Sequence, residues 1–217
     1  MSVKMIASEK TIEGFFPATV MPDRDWWNRL WSDPGQVLAT LGVRLGMDVV
    51  DLCCGDGLFT AALARMARRM VAIDIDPRML DLARAKVATT GASNCTFIKS
   101  DAYEVSTHVP WLADLVLIAN TFHGVPDKAR LATAVTAVLK PGGWFVIVNW
   151  HRRPREETIV LGAPRGPWTE MRMTPNDVTA VVEPAGLRLA RVVELPPYHY
   201  GAIFEKPAAE PSGNDGE

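Results

Sequence analysis

The sequence predicts an α/β fold: a doubly wound, mostly parallel sheet of seven strands with an antiparallel last strand, and helices on both faces. Three observations carry this. From Met47 to Trp150, short apolar runs alternate with amphipathic stretches, the rhythm of successive strand-helix units. Runs such as Val71-Ala72-Ile73 and Leu115-Val116-Leu117-Ile118 are apolar at consecutive positions, as strands buried on both faces are. The last two runs are separated only by Pro196-Pro197, far too little chain for a crossover, so they pair antiparallel.

Residues 1–22 hold Pro17 and Pro22 without periodicity and read as an irregular arm whose Phe15, Phe16 and Met21 fold over something. Asp25 to Trp31 reads as a short helix with Trp27 and Trp31 on one face. Asp33 as N-cap and Pro34 at the first helical position then open a second helix that ends at Gly42. Residues 1–42 are thus an arm with two helices, expected as a lid or as a brace. Strands are predicted over 47–52, 70–75, 95–99, 113–119 and 144–150, and helices over 58–69, 77–89 and 128–139. Residues 151–173 combine proline and glycine with Arg152, Arg153, Arg155, Arg165 and Arg172, a long ordered loop of the functional kind. Glu156, Glu157 and Glu170 balance those arginines, so a solvated loop is the leading expectation, ahead of a clamp for a substrate carboxylate or phosphate. A helix opening at Thr174-Pro175-Asn176 ends before Gly186, and strands 187–195 and 198–205 follow. Alternation along the last strand puts Tyr198 and Tyr200 on one face and His199 on the other. The polar tail, 207–217, is expected to be disordered.

At 217 residues and 48% hydrophobic content the chain suits one domain with a continuous core. Its 23 basic and 25 acidic residues give a formal charge of -2, which carries no footprint for nucleic acid or an anionic membrane and leaves a small-molecule partner. No stretch reaches the roughly 18 apolar residues of a membrane helix, and the N-terminus lacks a signal-peptide core. Three cysteines, two of them adjacent (Cys53, Cys54), offer no disulfide framework and point to a reducing cytoplasm. The four histidines lack metal-ligand spacing, so no metal is expected.

The most informative run is Asp51-Leu52-Cys53-Cys54-Gly55-Asp56-Gly57, placed where the first strand turns into its helix. Ligands of open α/β sheets bind outside the carboxyl ends of the strands, and Gly55 and Gly57 let backbone approach a ligand there. The second strand ends at Asp74, 23 positions further on, where a carboxylate can accept hydrogen bonds from both hydroxyls of a ribose. Asp76 precedes Pro77 and reads instead as the next N-cap. The third strand delivers Asp101 and the fourth ends at Asn120, so polar groups converge at four successive strand ends. Of the two cofactors that could use such a rim, a dinucleotide is disfavoured. Thr60 stands where its fingerprint wants a small residue, and Asp56 puts negative charge where a pyrophosphate would dock.

Val49-Val50-Asp51-Leu52-Cys53-Cys54-Gly55-Asp56-Gly57 resembles the first motif of class I S-adenosylmethionine-dependent methyltransferases. Val71 to Leu80 resembles their acidic second motif, Ser100-Asp101-Ala102 the adenine-side motif, and Leu139 to Trp144 the turn before the fifth strand. The match spans roughly residues 35–205 and is most similar to small-molecule enzymes of the quinone-biosynthesis type. Cys53 and Asp56 depart from the family's glycine and threonine. The resemblance implies a methyltransferase domain over 43–206, S-adenosylmethionine as cofactor, and a small-molecule acceptor methylated by in-line displacement. It places the cofactor at Asp51, Cys53, Gly55, Gly57, Asp74, Ile75, Asp101, Ala102 and Asn120. The turn after the fourth strand borders the transferred methyl in that family, which makes His123 the first candidate general base and His151, after the fifth strand, the second. Trp27, Trp31, Trp150 and Trp168 are weighed as core anchors before pocket walls. An NAD-linked oxidoreductase and a catalytically silent nucleotide-binding or interaction protein are the alternatives.

Overall fold

The computed structural model describes residues 14–208; the predicted start of the arm, 1–13, and the tail from residue 209 lie outside the described residues. The first two helices are α1 (Arg24–Leu30) and α2 (Pro34–Leu41), the second capped by Asp33, whose carboxylate accepts from Gln36 N–H, and closed by left-handed Gly42. The alternating core follows as β1 (Asp48–Leu52), α3 (Leu58–Ala64), β2 (Arg69–Asp74), α4 (Pro77–Ala88), β3 (Cys95–Lys99), α5 (Val105–His108), β4 (Ala113–Ala119), α6 (Lys128–Val138) and β5 (Leu139–Trp150). A two-stranded hairpin, β6 (Ile159–Val160) and β7 (Ala163–Pro164), precedes α7 (Pro175–Val182), β8 (Arg188–Leu195) and β9 (His199–Glu205).

Seven strands form one sheet in the order β3-β2-β1-β4-β5-β9-β8, with β9 antiparallel to both neighbours and β1 to β5 mutually parallel. Period-two alternation divides the core between the faces. Val50, Val116, Ile118, Phe145 and Ile147 pack with residues of α5, α6 and α7, while Val49, Leu115, Leu117, Val146 and Val148 pack with α1, α2 and α3. At the amino end of β1 the buried Asp48 is held by Arg68, Arg69 and Lys140. That network fixes the amino-terminal edge of the parallel strands.

Most element ends fall within a residue or two of the sequence expectation, and the departures that bear on packing have their cause in the tertiary structure. Helix α3 stops at Ala64, because Gly46 and Arg68 exchange backbone bonds with Met66 and Met47 and draw the chain off the helix axis. Asn94 then caps the exposed carbonyls, its amide donating to Ala64 O (3.0 Å) and Ala67 O (2.7 Å). Strand β5 begins at Leu139 rather than Trp144, since Leu139 pairs with Ala113 across a bulge, and Gly142 and Gly143 bond to Lys206 beyond β9. The long loop contains β6 and β7, which carry no periodicity of their own. Finally, β9 begins at His199, so alternation does not govern Tyr198: it stacks on Trp150 at 6.1 Å, and the His199 ring meets the same Trp150 at 4.1 Å.

Candidate active site

The carboxyl ends of β1 to β5 open into a cavity of about 380 Å³, within the size range of small-molecule and cofactor sites. At its floor, Cys53 (φ 58°) and Gly55 (φ 55°) both adopt the left-handed conformation, which folds the turn after β1 against the end of β2. Cys54 N–H donates to Ile73 O, and Gly55 N–H donates to an Asp74 carboxylate oxygen at 2.8 Å. The other Asp74 oxygen accepts from Asp76 N–H at 2.9 Å. Asp74 therefore ties the turn after β1 to the turn after β2, while lone pairs remain for a ligand. Burial raises its pKa, and these amide bonds oppose the rise. Asp51 accepts from the Thr60 hydroxyl at 2.6 Å, and burial, with the Asp74 charge nearby, pushes its carboxyl up to about 7. Asp76 caps α4 through Arg78 N–H and pairs with the Arg78 guanidinium. Asp56, the apparent departure, is paired with Lys86 at 2.7 Å. Burial pushes the Cys53 and Cys54 thiols well above their ordinary range.

Asp51, Cys53, Gly55, Asp74, Ile75, Asp101, Ala102 and Asn120 all line the cavity. Gly57 does not. Its φ is 83°, and a Cβ there would meet Ala83 Cα at 2.5 Å, so this glycine serves the close approach of α4 rather than a ligand. Gly57→Ala is expected to destabilise the protein by about 2 kcal/mol, lowering Tm by roughly 4–8 °C in a thermal melt. A variant melting with the parent would remove that packing role.

Asn120 (φ 60°) closes β4 with both side-chain amide atoms buried and without a hydrogen-bond partner. Buried amides are seldom left so, and this one lines the cavity. His123 also lines it, with Nε2 3.2 Å from Ala18 O. A carbonyl can only accept, so Nε2–H donates and the neutral ring leaves Nδ1 bare; Nδ1 is buried, beside Asn149. Burial lowers the His123 pKa to about 4. His151 is not brought into the cavity: its Nε2 pairs with Glu194 at 2.8 Å.

The segment Gly14–Pro22 roofs the cavity. Phe16 meets Tyr103 edge-on at 5.6 Å, and a Cβ on Gly124 would strike Pro17 O at 2.1 Å, so the arm lies directly on the turn after β4. The tryptophans divide. Trp27 and Trp150 are both core and cavity wall, Trp31 is core only, and Trp168 is exposed. Trp26, Gly166 and Pro167 also line the cavity, and no sequence pattern distinguished them. The basic loop is not uniformly solvated either, since Arg172 is only 2% exposed.

The profile of the methyltransferase domain family matches residues 49–143, the span from β1 to the turn before Trp144. Residues 49–143 are a methyltransferase domain. Among solved structures, an S-adenosylmethionine-dependent methyltransferase from Aquifex aeolicus superposes with a TM-score of 0.69 at 28% identity, covering 82% of this chain and 93% of that one. The N-methyltransferase NodS from Bradyrhizobium japonicum, in complex with S-adenosyl-l-homocysteine, shares the fold at a TM-score of 0.64 and 18% identity, with 85% and 89% covered. A ubiquinone biosynthesis O-methyltransferase from Leptothrix cholodnii is 28% identical over 56% of this chain and 52% of its own length. A demethylmenaquinone methyltransferase from Lactiplantibacillus plantarum is 30% identical over 64% and 62% respectively. The chain thus spans about half to two thirds of these curated relatives. The domain and its fold are those of S-adenosylmethionine-dependent methyltransferases. The comparisons give no support to an NAD-linked oxidoreductase. Among the described residues no helix is long and apolar enough to cross a membrane.

Proposed function

We propose that this chain transfers a methyl group from S-adenosylmethionine to a small-molecule acceptor, within a cytoplasmic domain spanning 43–206, with the described part of the preceding segment, residues 14–42, as its cover. One observation carries the reading: a single cavity combines carboxylates on β1 to β3 with the unpartnered amide of Asn120. That chemistry fits a ligand that is cationic at one end and rich in hydroxyl groups. Asp74 accepts from the ribose diol, Ile75, Asp101 and Ala102 flank the base, and Asp51 with the backbone of Cys53 and Gly55 holds the amino-acid end. Asn120 stands where the two substrates meet.

When bound, the cofactor supplies a methyl group already activated as a sulfonium. The protein is left to align a nucleophile and to exclude water. Phe15, Phe16 and Met21 in the roof do the excluding. His123 fastens that roof through Ala18 O, and its low pKa suits a neutral donor better than a proton acceptor. His151, turned toward Glu194, takes no part in the reaction.

Calorimetry with S-adenosylhomocysteine and with NAD, followed by a radiolabelled-methyl screen of cell metabolites, tests the reading; binding of NAD alone sinks it. A pH dependence follows from Asp51. Its folded pKa of about 7 lies above the ordinary carboxyl value of 3.8, so its contribution to stability is present at acid pH and lost as pH rises through 7. An ammonium held beside it favours the ionised form. Binding of S-adenosylhomocysteine at pH 6 should therefore release close to one proton, read by calorimetry in buffers of different ionisation enthalpy, and almost none at pH 8.5. Equal release at both pH values would assign the ammonium to another group.

A further inference from the structure

The half of the cavity away from β1 to β3 has a charge pattern that the proposed reaction leaves unexplained. Arg172 is buried against the outside of its wall. The guanidinium donates to Pro167 O (3.0 Å), Arg153 O (3.1 Å), Thr158 Oγ1 (3.0 Å) and Arg165 O (3.1 Å), and stands 5.1 Å over the Trp150 ring. Every one of those acceptors is neutral. Arg165 stands 5.3 Å over the ring of Trp26, its Nε buried without a partner, and among the described residues it forms no ion pair. Burial lowers the Arg172 pKa to about 10, so it is still charged at neutral pH. Arg155 and Arg153 reinforce the positive field and the exposed Glu156 opposes it.

These cations press on the wall that the two tryptophans share with Gly166 and Pro167. A Cβ on Gly166 would lie 2.8 Å from Trp150, which shows how tightly the loop is laid on that ring. Buried charge without a counter-ion is costly. Guanidinium already occupying one face of Trp26 and of Trp150 also sets those rings against a second cation. Asn120, Thr121, His123 and Trp27 complete this half without a carboxylate.

We infer that the acceptor taken by this half of the cavity is a planar organic anion, whose negative charge is the missing counter-ion of Arg172 and Arg165. The inference rests on the proposed function in placing the cofactor at the carboxylate half. The anionic group is either a carboxylate remote from the reacting atom or the ionised nucleophilic oxygen itself, and both draw on the same field.

The test begins with calorimetry of S-adenosylhomocysteine, whose failure to bind would count against the methyltransferase reading, not against this one. The protein, saturated where that ligand binds, is then titrated at pH 7.5 with 2-naphthoate, 2-naphthol and 2-naphthylmethylamine. The naphthoate or the naphthol should bind at least tenfold more tightly than the amine. Tight naphthoate identifies a remote acid group, and naphthol bound as its anion, read from its absorbance, identifies an ionised oxygen. Arg165→Gln should weaken anion binding about tenfold, leave S-adenosylhomocysteine affinity unchanged, and be largely rescued by Arg165→Lys. Arg165 is only half-buried, whereas Arg172 is enclosed, so this variant tests the field without emptying the buried Arg172 position. An amine bound as tightly as the anions, no binding of any of the three, or an Arg165→Gln protein with unaltered preference overturns the proposal.

Discussion

Asp74→Ala is expected to weaken S-adenosylhomocysteine binding at least tenfold in calorimetry, the largest effect of any single substitution in the cavity. Two charge-assisted hydrogen bonds to a ribose diol, worth roughly 1.5–3 kcal/mol each, leave with the carboxylate. The structure adds a cost that position at a strand end does not suggest. Asp74 also accepts from Gly55 N–H and Asp76 N–H, and it is only 9% exposed. The alanine variant therefore strands two backbone donors and should melt several degrees lower as well. Asp74→Asn keeps one acceptor oxygen in place and serves as the control. If the asparagine protein retains near-parental Tm but loses affinity, the ligand contact is isolated from the structural one. Unchanged affinity in either folded variant would move the ribose contact elsewhere.

Two truncations of the N-terminal segment should behave oppositely. Removal of residues 1–22 takes away the roof but little of the core. The protein should fold, bind S-adenosylhomocysteine at least tenfold more weakly and lose methyl transfer, because nothing then excludes water from the site. His123→Ala should reproduce part of this loss by releasing Ala18 O. Removal of residues 1–32 also deletes Trp26, Trp27 and Trp31, exposed by only 7, 6 and 3%. Loss of one such side chain costs about 3–5 kcal/mol, against a total stability of roughly 5–15 kcal/mol, so this form should aggregate or fail to fold. Full transfer activity in the shorter truncation would show that the arm is not a lid. The two truncations thus separate a lid role for the arm over the cavity from a brace role for the tryptophans in the core.

Local order decided what could be read in advance. Apolar runs with period two or 3.6 bury wherever the chain folds, so β1, β3, β4 and their helices are legible one by one. Acidic and amide residues immediately after such runs fall at the carboxyl edge of a parallel sheet by topology alone, which is why Asp51, Asp74, Asp101 and Asn120 could be gathered without coordinates. The sequence by itself determined the doubly wound sheet, its antiparallel last strand, and which acidic and amide residues gather at its carboxyl edge. Only the tertiary structure decided that Gly57 serves helix packing, that His151 turns to Glu194, and that Arg172 is buried among carbonyls. Each of those outcomes depends on which surface meets which. A glycine's role is fixed by the atom that would touch its missing Cβ, and an arginine's by the carbonyls that a distant loop happens to bring within reach, and neither is written in the spacing of neighbouring residues.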